Sequence, residues 1–288
     1  MTSTYVVGWS PFHRDSGAVE LACRLARSTG ARLHVLSVMP SGWGGIGRRD
    51  PEAAEREGER AVEEARRHLD AAGIDGDVVA STARSVPQAL LDAVEETQAV
   101  AIFLGSGSEA PIGRIDVSSK AGRLLHSSPV PVALAPRGYR VRRGENAGLE
   151  RVTCAFRDEA SSHTALERAE ILADAACVPL RVVTFGVEPR RMIPTEVSGD
   201  AQMVLDEWRV QAGRALDEAI AGLDRVVHSG DVFIGRTWDE ALHETDWQEG
   251  DLLVVGSSST SPIAQVFLGS SATKIVRHSP VPVAVVPR

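Results

Sequence analysis

Two glycine- and serine-rich segments are the residues of this chain best suited to chemistry, and each follows an apolar run. They read Gly105-x2-Ser108-x9-Ser118-Ser119 and Gly256-x2-Ser259-x9-Gly269-Ser270. Glycine tolerates unusual backbone angles and lets amides approach an anion closely. A helix opening after such a loop adds free N–H groups and the positive end of its dipole. The chemistry this supports is phosphate binding. Gly256, Ser257, Ser259, Gly269, Ser270 and Ser271 are the candidates in one segment, and Gly105, Ser106, Ser108, Ser118 and Ser119 in the other. The competing reading is that these serines only cap a helix and close a turn.

The two segments belong to a longer repeat. Residues 104–137 and 255–288 align without a gap at an offset of 151, with 15 of 34 positions identical. Solenoid repeats recur every ~20–50 residues, so this unit is a whole domain. Ser128-Pro129-Val130-Pro131-Val132 returns as Ser279-Pro280-Val281-Pro282-Val283. Proline flanking a last strand marks a sheet edge, where a missing N–H is tolerated. Such an edge, with an apolar face, is suited to pair with its twin.

Each copy alternates short β-rich runs with helical patterns, which implies a parallel sheet with crossover helices. Strands are predicted at 5–9, 34–38, 77–81, 100–104 and 130–135, with helices over 15–29, 51–73, 87–96 and 118–126. The second copy repeats the order, with strands near 152–156, 180–185, 226–233, 252–255 and 281–286 and helices near 161–176, 199–223, 238–245 and 270–277. The fold class is α/β, two tandem doubly wound five-stranded domains over 1–138 and 149–288, joined by a linker over 139–148. In such sheets ligands bind beyond the carboxyl ends of strands, where both glycine-serine loops fall.

Composition is that of an ordinary globular protein, 43% hydrophobic and 24% charged. The chain has no apolar run of ~18 residues and no secretory-type leader, so a cytoplasmic protein without membrane attachment is expected. The net charge of −8 sits wholly in residues 149–288, with 13 basic and 21 acidic side chains, against 18 and 18 in residues 1–148. That field opposes general nucleic-acid binding. Arg140, Arg142 and Arg143 form one basic cluster, read as part of a solvated linker rather than a polyanion contact. Three cysteines without a CxxC pair argue against a disulfide framework. The eight histidines show no paired-ligand spacing, and no nucleophile elbow is present. Residues 40–49, with Trp43 among glycines, read as a surface loop or as a lid over a ligand.

These motifs, with Val7-Gly8 in the first strand and Ser162-x2-Ala165-Leu166 in the second copy, resemble the universal stress protein superfamily in its tandem form. The resemblance implies the adenine nucleotide alpha hydrolase-like fold, strand order 3-2-1-4-5, and last strands meeting across a pseudo-twofold axis. It also implies the nucleotide motif Gly-x2-Gly-x9-Gly-Ser/Thr, with an aspartate two residues past the first strand's glycine, and it allows ATP with Mg2+ or a cyclic nucleotide as the ligand. This chain departs from that pattern. Ser108 and Ser259 replace the middle glycine, Ser118 replaces the third glycine in the first copy, and Ser10 and Arg157 stand where the aspartate would be. An arginine there either obstructs the adenosine or turns toward a phosphate. The expectation is a non-enzymatic, stress-response binding or adaptor module with degenerate nucleotide sites, the second domain the better one. The alternative is an ATP-binding protein with slow Mg-dependent hydrolysis. Expected partners are an adenine nucleotide and a protein. The expected assembly is an intramolecular pseudo-dimer, with pairing of two chains left open.

Overall fold

Each half of the chain folds into the same strand–helix series. The computed structural model describes residues 2–10, 15–40, 51–142, 147–188, 198–224, 226, 228–257 and 270–287. The first half runs β1 (Thr4–Trp9), α1 (Gly17–Thr29), β2 (Arg32–Pro40), α2 (Pro51–Ala72), β3 (Gly76–Ala83), α3 (Val86–Thr97), β4 (Ala101–Gly105), α4 (Ser119–Ser127) and β5 (Val132–Ala135). The second runs β6 (Arg151–Ala155), α5 (Ala160–Ala176), β7 (Leu180–Val187), α6 (Ser198–Ile220), β8 (His228–Gly235), α7 (Trp238–His243), β9 (Asp251–Gly256), α8 (Ser270–His278) and β10 (Val283–Val286). Local chemistry sets several boundaries. Gly30 ends α1 in a left-handed conformation, its N–H on the Ala26 carbonyl. Ser85 caps α3 through the Gln88 amide.

All ten strands form one sheet in the order β3-β2-β1-β4-β5-β10-β9-β6-β7-β8. Each half therefore has the order 3-2-1-4-5, and every pairing within a half is parallel. The junction is antiparallel, with Val283, Ala284 and Val285 opposite Leu134, Ala133 and Val132. Both last strands start at Val132 and Val283, two residues later than the apolar run suggests. Pro131 and Pro282 have no N–H for the ladder, but their carbonyls accept the amides of Ile102 and Leu253. The serine of each repeat locks this entry: Ser128 Oγ donates to the Val130 carbonyl and accepts its amide, and Ser279 treats Val281 identically.

Parallel strands covered on both faces are apolar on both. Val6, Ile102, Val132, Val283 and Leu253 belong to the core under α3, α4, α7 and α8, while Val7, Phe103, Ala133, Ala284 and Val254 belong to the opposite core. Each of these cores is continuous across the junction, so the two domains are packed as one sheet with two shared layers.

On either side of residues 143–146 the stretch read as a linker is bonded to a polar stripe on α1, while the Arg140 and Arg142 side chains stay exposed. Glu20, Arg24 and Ser28 lie four residues apart and so share one helix face. Glu20 accepts the Val141 amide, Ser28 Oγ accepts the Leu149 amide at 2.8 Å, and Asp15 accepts the Gly138 amide. The Arg24 guanidinium, buried, donates to the Glu249 carbonyl of the second half and lies over the Tyr139 ring. Arg140 pairs with Asp15 and Arg142 with Glu249. The basic cluster is thus partly neutralised by acids of both domains. Burial opposes ionisation of Glu20, but His68, the Val141 amide and Arg140 outweigh it and hold its pKa below the ordinary carboxylate value.

Candidate functional site

In the first domain the loop after β4 is closed on itself. Gly107 N–H donates to the Asp116 carbonyl at 2.9 Å, and Asp116 N–H donates to Ser106 Oγ at 2.8 Å. A side chain on Gly107 would meet the Asp116 carboxylate at 2.7 Å, so the bare backbone is what admits that residue. Ser118 caps α4 by accepting the Ala121 amide at 3.3 Å. Arg137 closes the outer side, donating its backbone N–H to the Arg114 carbonyl and its guanidinium to the Ala110 carbonyl. Ala110 and Ile115 are buried beneath. Gly105 ends β4 in open space, Ser108 lies in the turn, Ser119 opens α4 exposed, and Ser10 follows β1 half-buried. Ser106 and Ser118 therefore do the turn-closing and capping work that was the competing reading of this motif.

In the second domain the residues described on either side of the corresponding loop make other contacts. Gly256 ends β9 against the first turn of α5. A side chain there would overlap the Ser161 carbonyl oxygen and lie 2.9 Å from its carbonyl carbon. Ser257 is buried, its N–H on the Val286 carbonyl at 3.0 Å. Ser270 and Ser271 form the first turn of α8. Arg157, two residues beyond β6 and more than half exposed, donates Nη1 to Ser271 Oγ at 3.1 Å. Its nearest acid, Glu159, stands 3.8 Å away. The structure thus brings Arg157 and Ser271 together at the first turn of α8. A guanidinium beside a helix N-terminus is chemistry that suits an anion. Ser259 and Gly269 lie outside the described residues, as does the tryptophan-bearing stretch 41–50.

The repeat folds as one architecture twice, and comparisons with known proteins agree with it. The model of the universal stress protein family matches residues 12–136 and 148–287. The chain belongs to the universal stress protein family. It is 38% identical over 296 residues to universal stress proteins of Mycobacterium bovis and of Mycobacterium tuberculosis, covering 99% of this chain and 99% of each relative. Among solved structures, a universal stress protein from Archaeoglobus fulgidus superposes with a TM-score of 0.67 at 19% identity, covering 98% of both chains. That likeness shows the fold.

As a tandem universal stress protein, the chain has also built contacts that the motif did not reveal. Arg114, in the first-domain loop, reaches the second domain. Its Nη1 donates to the His278 carbonyl at 2.6 Å, and its Nη2 lies 3.0 Å from Asp239 Oδ1. His278 Nδ1 is 3.0 Å from the other Asp239 oxygen. Slight burial opposes ionisation of Asp239, but His278, Arg114 and His243 hold its pKa below the ordinary value. The signal for these residues lies in the repeat itself: Arg114 and Asp116 face Gln265 and Phe267 at the 151-residue offset.

Other candidate chemistry is quiet. Burial pushes the thiols of Cys23 and Cys154 up to about 12, Glu20 adding to the effect at Cys23, so neither is a thiolate at neutral pH. Cys177 is exposed and ends α5 in a left-handed conformation, where α1 has Gly30. Among the described residues no helix is long and apolar enough to cross a membrane.

Proposed function

We propose that this tandem universal stress protein is a stress-response binding or adaptor module whose second domain takes the phosphate end of an adenine nucleotide. One observation carries the proposal: Arg157 meets Ser271 at the first turn of α8, at the carboxyl ends of β6 and β9. Ser270 and Ser271 supply hydroxyls there, while Gly256 and the buried Ser257 seat the end of β9 beneath them. Ser259 and Gly269 complete the set on sequence grounds. The first domain offers less, because Ser106, Ser118 and the Gly107 amide are engaged within the chain. The arrangement suits holding a ligand rather than transforming it, with Mg2+ arriving on the nucleotide.

Thermal denaturation with and without Mg-ATP tests this. A ligand that binds only the native state raises stability by about 2.7 kcal/mol at a hundredfold excess over Kd. For domains of this size that raises Tm by at least ~5 °C. No shift at millimolar Mg-ATP would remove the nucleotide from the account. Steady release of phosphate, lost in Arg157→Ala, would instead make the chain a slow ATPase.

A further inference from the structure

The first-domain loop after β4 supports an arginine that reaches the second domain. We propose that Arg114 of the first domain is a positioning residue for the second-domain site, holding α8 so that its first turn faces Arg157. The proposal rests on the reading of that site given above.

Helix α8 is nine residues long, Ser270–His278, or ~13 Å from end to end. A helix this short has little stability of its own in water. Its place is set by tertiary contacts: Ala272, Ile275 and Val276 buried on one side, and whatever grips its ends. One end carries Ser270 and Ser271 at the proposed phosphate position. The other end is gripped by Arg114, a cation on the terminal carbonyl of His278, where the helix dipole is negative. The same guanidinium reaches Asp239 in the first turn of α7, and Asp239 reaches back to His278. One side chain thus ties α7 and α8 to the first domain through two separate nitrogens. Lysine cannot reproduce that fork.

Arg114 is itself firmly held. Its amide bonds to the Pro111 carbonyl and its carbonyl accepts the Arg137 amide, within a loop closed by Ser106, Gly107 and Asp116. At the 151-residue offset the position of Arg114 is taken in the second repeat by Gln265, which is uncharged. A nine-residue helix moves as a rod, so releasing its carboxyl end shifts its amino end. Ligand held at the first turn of α8 and the grip of Arg114 are therefore linked, and linkage between two sites is reciprocal.

Calorimetric titration of the full chain with Mg-ATP, paired with amide hydrogen exchange of the ligand-free chain, tests the proposal. R114A is expected to weaken binding at least ~5-fold, the lower range of coupling between sites. D239N is expected to weaken it in the same direction, and R114A/D239N no more than the worse single variant. R114K should fall between R114A and the unaltered chain. R123A, on the exposed face of α4, should bind as the unaltered chain does. Without ligand, R114A should speed exchange of the amides at 274–278, the ones bonded within α8. Equal affinity in R114A and the unaltered chain overturns the positioning role while leaving the site intact. Absence of binding in every variant removes the site. Unchanged exchange at 274–278 in R114A then overturns the positioning role as well.

Discussion

Asp251→Ala lowers the stability of the chain by about 3–5 kcal/mol, measured by denaturant unfolding at neutral pH, the range for breaking a buried ion pair from one side. Asp251 opens β9 with its side chain wholly buried. It accepts Arg151 Nε at 3.1 Å and Nη2 at 2.6 Å, accepts the Gln248 amide at 3.0 Å, and stands 3.6 Å from Arg181. Both arginines also donate to the Asp246 carbonyl, and Arg181 lies 5.0 Å from the Trp247 ring centroid. Desolvation and the nearby Arg151 already push the Arg181 pKa down, so Asp251 is the counter-charge that keeps this pair tolerable. Removing it leaves two guanidinium groups with little water and no carboxylate in ion-pair contact, only the fields of Asp231 and Asp246 on Arg181. The loop they hold, residues 246–250, also presents Glu249 to Arg24 and Arg142, so the junction between domains loosens too. The first domain has Thr4, His34 and Val100 at the matching positions and does without the cluster. Replacing all three charges with apolar residues, R151M/R181M/D251V, therefore costs less than D251A alone. A triple variant as unstable as D251A would show that the cluster stabilises by attraction rather than by mutual compensation.

Gly256→Ala destabilises the chain by about 3 kcal/mol, at the upper end of what overpacking usually costs, while Gly105→Ala stays within ~0.5 kcal/mol of the unaltered chain. The two glycines occupy the same place in the repeat, so sequence alone treats them as equals. In the structure the added methyl at 256 strikes the Ser161 carbonyl of α5, which is backbone and cannot rotate away. The added methyl at 105 meets nothing within 4 Å. Equal effects at the two sites, read as shifts in the unfolding midpoint, would mean that α5 does not rest on β9 as described.

Much of the fold was legible because its signals are local and repeated. Val6-Val7, Ile102-Phe103 and Leu252-Leu253 are apolar runs bounded by turn residues, as central parallel strands must be. The prolines at 131 and 282 marked the edge where the halves join. The features that were not legible depend on what covers a residue. Glu20, Arg24 and Ser28 carry no local sign of burial, yet the chain after β5 folds back over them and Arg24 is buried. The matching residue of α5, Ile171, stays exposed although it is apolar. Arg151 and Asp251 are a hundred residues apart, and only strand pairing sets them side by side. The candidate site was partly legible. The small-residue pattern located both loops, but whether a serine closes a turn or faces a ligand depends on neighbours such as Asp116 and Arg157.

That asymmetry between two copies of one motif is the centre of the account, and the stoichiometry of nucleotide binding tests it most directly. Titration of the full chain with Mg-ATP should give one site per chain. Gly269→Asp or Arg157→Glu should abolish it, each placing negative charge at the phosphate end of the second domain. Ser118→Asp in the first domain should leave it unchanged, since aspartate also caps a helix. Two sites per chain, or loss of binding in Ser118→Asp with Gly269→Asp unaffected, would contradict the assignment of the ligand to the second domain.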